Sequence, residues 1–243
     1  MKQMFFITGT DTGAGKTVLT ALLTHFLRNR GANVAALKPI CSGGRDDARI
    51  LRVASAGVLT LDEINPWHFR APIAPLFAAR RERRRVKLAE VLAHVHAIQK
   101  HFDVSLIEGA GGLLSPLGEN FDSRDLLTAL STKTIVVGPN RLGAVNQILL
   151  TLEALPKSFR RKARVVLMSP PKPDAATILN AKSLAEFVAA KRIFMLPWLG
   201  KQDGRDAAPR RPDSTRRCPG LSDLDRALKY SKVQRTLASL ALT

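Results

Sequence analysis

An α/β fold on a doubly wound, mostly parallel sheet is predicted from three observations. Short apolar runs of strand length alternate with stretches whose apolar residues recur at helical spacing. A glycine-rich turn separates the first such run from the first such helix. The chain has 243 residues, 45% apolar and 24% charged, which suits one domain with a substantial core and excludes disordered, collagen-like and disulfide-framework classes.

Residues 4–8 (MFFIT) form an apolar, partly β-branched run that stops at Gly9, as a buried strand feeding a tight turn would. From Thr17 the positions Val18, Leu22, Leu23, Phe26 and Leu27 repeat at helical spacing, and Gly31 is placed to end that helix as its left-handed cap. Residues 33–37 read as a second strand closed by Lys38 and Pro39, so a βαβ unit is complete by residue 38. A short helix is expected over 46–55, ended by Gly57, and irregular chain over 65–75, which holds three prolines. The stripe Leu88, Val91, Leu92, Val95 and Ile98 predicts a helix, followed by a strand over 104–107 that ends on Glu108. The alternation continues with helices over 125–130, 144–155 and 177–189 and strands over 134–138, 164–168 and 193–196. After residue 200 the composition turns basic and polar. Residues 201–220 read as a loop, with one amphipathic helix over 224–242 docked on the same domain.

The charge balance is unusual: 38 Lys and Arg against 20 Asp and Glu leave a formal charge of +18. Such a surface attracts nucleic acid and small anionic substrates alike. Aromatic residues make up only 5% and do not interleave with the basic clusters at 80–85 and 210–217, which disfavours nucleic-acid binding. No apolar run approaches the roughly 20 residues of a membrane span, and the N-terminal segment reaches glycine too early for a signal peptide. A cytoplasmic protein without a membrane partner is expected. The two cysteines fit a reduced compartment, although one bridge remains open to them.

Residues 9–17 read GTDTGAGKT at the carboxyl end of a strand and the amino end of a helix. Glycines there let backbone N–H groups face phosphate oxygens, the helix dipole adds positive potential, Lys16 neutralises phosphate charge and Thr17 offers a hydroxyl to Mg²⁺. The loop is a variant Walker A sequence, with its first glycine one residue early, and it predicts a P-loop NTPase-like nucleotide site. Magnesium on a nucleotide takes one or two carboxylates from the protein. Glu108, at a strand end before GAGG, and Asp47, at the start of a short helix, are the candidates, with Asp46 as alternative to Asp47. Lys38, at a strand end and followed by Pro39, extends toward the phosphates, where a cation stabilises a transferring phosphoryl group.

Together GTDTGAGKT, LKPICSG, Asp47 with Ala48, IEGAGGLLSPL, NRLGAVNQ and LPWL follow one another as in dethiobiotin synthetase, and residues 1–200 resemble that family. The resemblance implies an ATP- and Mg²⁺-dependent cyclo-ligase of biotin biosynthesis. It joins 7,8-diaminopelargonate and CO₂ or bicarbonate into a cyclic urea through a carbamate and a carbamic–phosphoric anhydride. Carried over by position, Thr17, Asp47 and Glu108 hold the metal. Gly13, Ala14, Gly15, Lys16, Thr17 and Val18 hold the phosphates, and Gly109, Ala110, Gly111, Pro197, Trp198 and Leu199 complete the nucleotide site. Lys38, Lys16 and Thr12 serve the chemistry. Thr12, Lys38 and Ser42 meet the diamine or its carbamate, and Gly143, Ala144, Val145 and Asn146, from the second subunit of a homodimer, meet its acid tail. The base-reading pair that the family carries after the strand ending at Met168 is replaced here by Ser169, Pro170 and Pro171.

Two other classes share the loop. A ParA/MinD-like ATPase switch on DNA or membrane would carry a second lysine where this chain has Asp11, and a cobyrinate-type amidoligase would bring a glutaminase-like region that is not visible here. His94 and His96 fall on different sides of a helix, His25, His68 and His101 are isolated, and Cys41 has no evident base partner.

Overall fold

A computed structural model describes residues 2–199 and 221–242. In chain order the first half runs β1 (Gln3–Gly9), α1 (Lys16–Arg28), β2 (Val34–Leu37), β3 (Ile40–Ser42), α2 (Asp46–Ala54), α3 (Leu61–Ile64), β4 (Trp67–Phe69), α4 (Pro75–Arg81) and α5 (Leu88–Gln99). Then come β5 (Val104–Glu108), β6 (Pro116–Gly118), β7 (Phe121–Asp122), α6 (Ser123–Ala129), β8 (Lys133–Pro139), α7 (Ala144–Glu153) and α8 (Lys157–Arg160). The chain closes with β9 (Arg164–Met168), α9 (Ala175–Ala185), β10 (Ile193–Leu196), α10 (Leu221–Leu228) and α11 (Ser231–Leu242).

Six strands form one parallel sheet in the order β10-β9-β8-β1-β5-β2. Continuous apolar runs such as Phe5, Phe6 and Ile7 in β1, and Leu106 and Ile107 in β5, are wholly buried because helices cover both faces. The chain leaves β1 toward β2 but leaves β8 toward β9, so the adjacent pair β1 and β8 marks the switch point where open α/β sheets bind ligands. Gly9, Lys38, Glu108 and Asn140 all lie at or just beyond carboxyl ends of strands, hence along one edge.

Helix α1 ends as its sequence predicts. Gly31 has φ +83°, the Ala32 N–H donates to Leu27 O at 3.1 Å and the Gly31 N–H to Arg28 O at 2.9 Å, the paired bonds of a Schellman cap. The proline-rich stretch is less irregular than expected: β4 pairs in parallel with β3, and Pro75 opens α4. Prolines bracket that three-residue strand rather than interrupt it. The single C-terminal helix expected over 224–242 is two, α10 and α11, broken at Lys229 and Tyr230. Leu224, Ala227 and Leu228 bury one face of α10, Val233 and Leu237 one face of α11, and Nε2 of His25 in α1 lies 2.7 Å from Asp225 Oδ1. The loop expected over 201–220 lies outside the described residues.

Candidate active site

The glycine loop owes its shape to close backbone approach. Gly13 and Gly15 have φ of +75° and +95°, and a Cβ on Gly15 would stand 2.9 Å from Met168 Cγ, so that position excludes a side chain twice over. The loop rests on the glycines after β5, where a Cβ on Gly112 would approach Thr10 O to 3.3 Å. Lys16, buried at the start of α1, spans the two segments, its Nζ donating to Gly111 O at 2.7 Å and Asp11 O at 3.0 Å. Burial, and next the neighbouring Lys38 charge, pull the Lys16 ammonium down to about 8.

Beside it lies a compact cluster of charges. Lys38 Nζ is 2.7 Å from Glu108 Oε1, 2.9 Å from Asp47 Oδ2 and 3.2 Å from Gly109 O. Its side chain is 4% exposed and that of Glu108 is 0% exposed, whereas Asp47 is 47% exposed. Burial opposes the Lys38 charge, but the two carboxylates outweigh it and hold the ammonium above its usual range. Burial likewise pushes the Asp47 carboxyl up, and Lys38 with a Thr17 hydrogen bond more than offsets that, leaving it below its usual range. Thr17 Oγ1 donates to Glu108 Oε1 at 2.7 Å. Between the adjacent acids the geometry chooses plainly: Asp47 joins this cluster, and Asp46 Oδ1 pairs instead with Arg49 at 2.6 Å.

Thr17, Asp47 and Glu108 therefore present hard oxygen donors within one cluster, and Glu108 Oε2 is buried without a hydrogen-bond partner among the described residues. An unsatisfied buried carboxylate oxygen is costly unless a cation or donor meets it, and oxygen donors of this kind suit Mg²⁺. No group of three or more His, Cys, Asp or Glu gathers among the described residues, so a divalent ion here would draw further ligands from phosphate and water.

A cavity of about 810 Å³ opens beside the glycine loop. Gly13, Ala14, Gly15 and Val18 form one side, with Pro197, Trp198 and Leu199 on another, so these sequence-predicted positions do meet. Ser169, Pro170 and Pro171, the residues that stand in place of a base-reading pair, line it, and α10 adds Asp223, Leu224 and Arg226. Gly109 and Ala110 are not among its lining: Gly109 accepts from Lys38 and packs against Phe6, and Ala110 is buried.

Of the substrate positions, Thr12 is exposed on the loop, and Ser42 Oγ donates to Ile73 O at 2.6 Å, leaving its lone pairs to accept. Gly143, with φ +87°, caps α7; Ala144 is buried, Val145 half-buried and Asn146 exposed, at the edge of the sheet that carries the loop. Asn65 escaped sequence reasoning because it precedes a proline and reads as a turn. Fully buried, it donates from Nδ2 to Lys38 O at 2.7 Å and accepts at Oδ1 from Arg45 at 3.2 Å and Cys41 at 3.1 Å, which fixes the backbone that aims Lys38.

The sequence profile of the family described as "AAA domain" matches residues 3–205. The ATP-dependent dethiobiotin synthetase BioD of Anaeromyxobacter dehalogenans (strain 2CP-C) is 40% identical over 198 residues, 79% of this chain and 89% of its own. That of Thermodesulfovibrio yellowstonii is 35% identical over 217 residues, 82% and 90% of the two chains. Among solved structures, the ParA family ATPase from Chlorobium tepidum TLS superposes with a TM-score of 0.54 at 13% identity, over 100% of this chain and 98% of its own. The MinC:MinD cell division protein complex of Aquifex aeolicus does so with a TM-score of 0.58 at 14% identity, over 98% and 96%. At such identities these two share the fold.

Proposed function

The chain belongs to the ATP-dependent dethiobiotin synthetases, and from that premise we propose that the cluster around Lys38 drives closure of the cyclic urea of dethiobiotin. In this reading 7,8-diaminopelargonate takes up CO₂ on one amine as a carbamate. A carbamate oxygen attacks the γ-phosphorus of ATP, the bond to the bridging oxygen breaks, and ADP departs. The second amine then attacks the carbonyl carbon of the mixed anhydride, expels phosphate and loses a proton as the ring closes.

The observation that carries the reading is Lys38 Nζ lying within 2.9 Å of both Asp47 and Glu108 while Lys16 sits buried beside it. Carbamate and triphosphate are both anions, so their encounter needs cations between them. Lys16, with the backbone N–H groups of residues 13–18, would hold the β- and γ-phosphates, and Lys38 would face the oxygen that bonds to phosphorus. Thr17, Asp47 and Glu108 would hold Mg²⁺, which when bound neutralises phosphate charge. Thr12 and Ser42 would accept from the diamine or its carbamate. The apolar and proline-rich walls at Met168, Pro170 and Pro197 support a base held by packing and backbone contacts. Inorganic phosphate release with ATP, Mg²⁺ and bicarbonate is expected to require the diamine; release at the same rate without it defeats this assignment.

A homodimer belongs to the same proposal. The start of α7 is a good carboxylate seat, since Gly143 frees its N–H groups and the first turn carries no acid. Leu142 just before it and Leu150 farther along α7 are 81% and 63% exposed, apolar surface that a second copy would cover. Light scattering on the eluting protein should give twice the monomer mass, and a monomer at assay concentration contradicts it. No helix among the described residues is long and apolar enough to cross a membrane. Cytoplasmic residence is part of the proposal and accords with the free thiol of Cys41.

A further inference from the structure

A second cavity, of about 550 Å³, lies at the opposite end of the sheet from the glycine loop, at the amino ends of β8, β9 and β10. Five cations line it, Lys133, Lys162, Arg164, Lys191 and Arg192, and no carboxylate among the described residues does. The topology creates this concentration, because the three strands are neighbours and each begins at a basic residue or just after one. Arg164 is buried, with Nη1 donating to Leu240 O, and both it and Lys133 stand over the ring of Phe5, at 5.8 and 5.4 Å from its centroid. Arg192 donates to Arg160 O at 2.8 Å.

Lys133, Lys162 and Lys191 are exposed and Arg192 half-buried, so their solvated heads ring the buried Arg164. Thr134, 3% exposed, lines the same cavity and its Oγ1 has no hydrogen-bond partner among the described residues. Concentrated positive charge with no carboxylate among the described residues suits an anion rich in acceptor oxygens. The volume falls within the range of small-molecule sites, and the half-buried Phe159 offers a ring beside the cations.

We propose that this cavity is a second anion site, separate from the nucleotide site, which binds an oligophosphate group. Lys162 and Lys191 reach the phosphates from the rim, while Arg164 adds its charge from the floor. Because the cavity lies at the other end of β8, its ligand touches none of the residues around Lys38. The inference stands whether or not the chain turns over the diamine.

The test removes the nucleotide site first. Full-length protein carrying Lys16→Ala is titrated calorimetrically with inorganic tripolyphosphate, and in parallel with ADP, in chelator. One site per chain is expected, weakening with added salt and by roughly tenfold or more on Lys162→Ala with Lys191→Ala. Unchanged melting temperatures for these variants show that the fold persists. Binding of ADP but not tripolyphosphate would identify a nucleotide as the source of the phosphates, whereas binding of both points to the phosphate chain alone. Absence of any saturable binding, binding indifferent to the two lysines, or a single-stranded oligonucleotide that binds through them while tripolyphosphate and ADP do not, overturns the proposal.

Discussion

Lys38→Ala should lower diamine-dependent phosphate release by about 10³-fold or more, the scale on which a cation aimed at a transferring phosphoryl group acts. Nucleotide affinity should stay within about threefold, because the loop around Lys16 is untouched. The substitution also removes the ammonium that directly pairs with buried Glu108, and breaking a buried pair from one side costs about 3–5 kcal/mol. The melting temperature should therefore fall in the absence of Mg²⁺ and nucleotide. Part of it should return when both are added, since a cation then meets Glu108 again. A variant keeping more than about a tenth of wild-type turnover would remove Lys38 from the chemical step.

What the sequence reveals and what it withholds divide along a physical line. Strands such as β1 and β5 are legible because a parallel strand buried on both faces must be a continuous apolar run, and the glycine loop is legible because phosphate approach requires glycine at fixed spacing. Lys38 and Glu108 are each legible as strand-end residues. Their 2.7 Å contact is a product of strand order, since β2 and β5 are neighbours although the two residues lie 70 positions apart. Asp46 and Asp47 are indistinguishable by composition, yet successive residues on a helix point about 100° apart, and only tertiary geometry decides which reaches Lys38. Asn65 and α10 show the limit more sharply. One is a polar residue before a proline and the other follows residues 201–220, and nothing local reports that the first supports the Lys38 backbone or that the second packs on α1 through His25 and Asp225.

Lys16→Ala should act on binding, with nucleotide affinity reduced by about 10²-fold or more, the loss expected when a charge-assisted contact to polyphosphate disappears from a buried position. Lys16 differs from Lys38 in its partners: its Nζ contacts two backbone carbonyls, so its removal strands no carboxylate. The two substitutions should therefore separate, one acting on affinity and the other on turnover. The lowered Lys16 value gives that separation a pH signature. In the folded chain the ammonium loses its proton near 8, whereas unfolded it would hold it to 10.5. Across that window the unfolded state carries the extra proton, so this group's contribution to stability increases as pH rises. Nucleotide affinity runs the other way, because polyphosphate prefers the protonated form; above about 8 it should fall by up to tenfold per pH unit until the pKa of the complex is reached. Lys38, held above its usual range by Glu108 and Asp47, stays charged throughout and cannot be the source of that fall. Calorimetric titration with ATP from neutrality to the upper end of the window should find the slope in wild type, displaced to higher pH in Lys38→Ala because a neighbouring positive charge has gone, and absent in Lys16→Ala. A flat wild-type profile, or equal loss of affinity in both variants, would mean that the two lysines do not divide binding and chemistry between them.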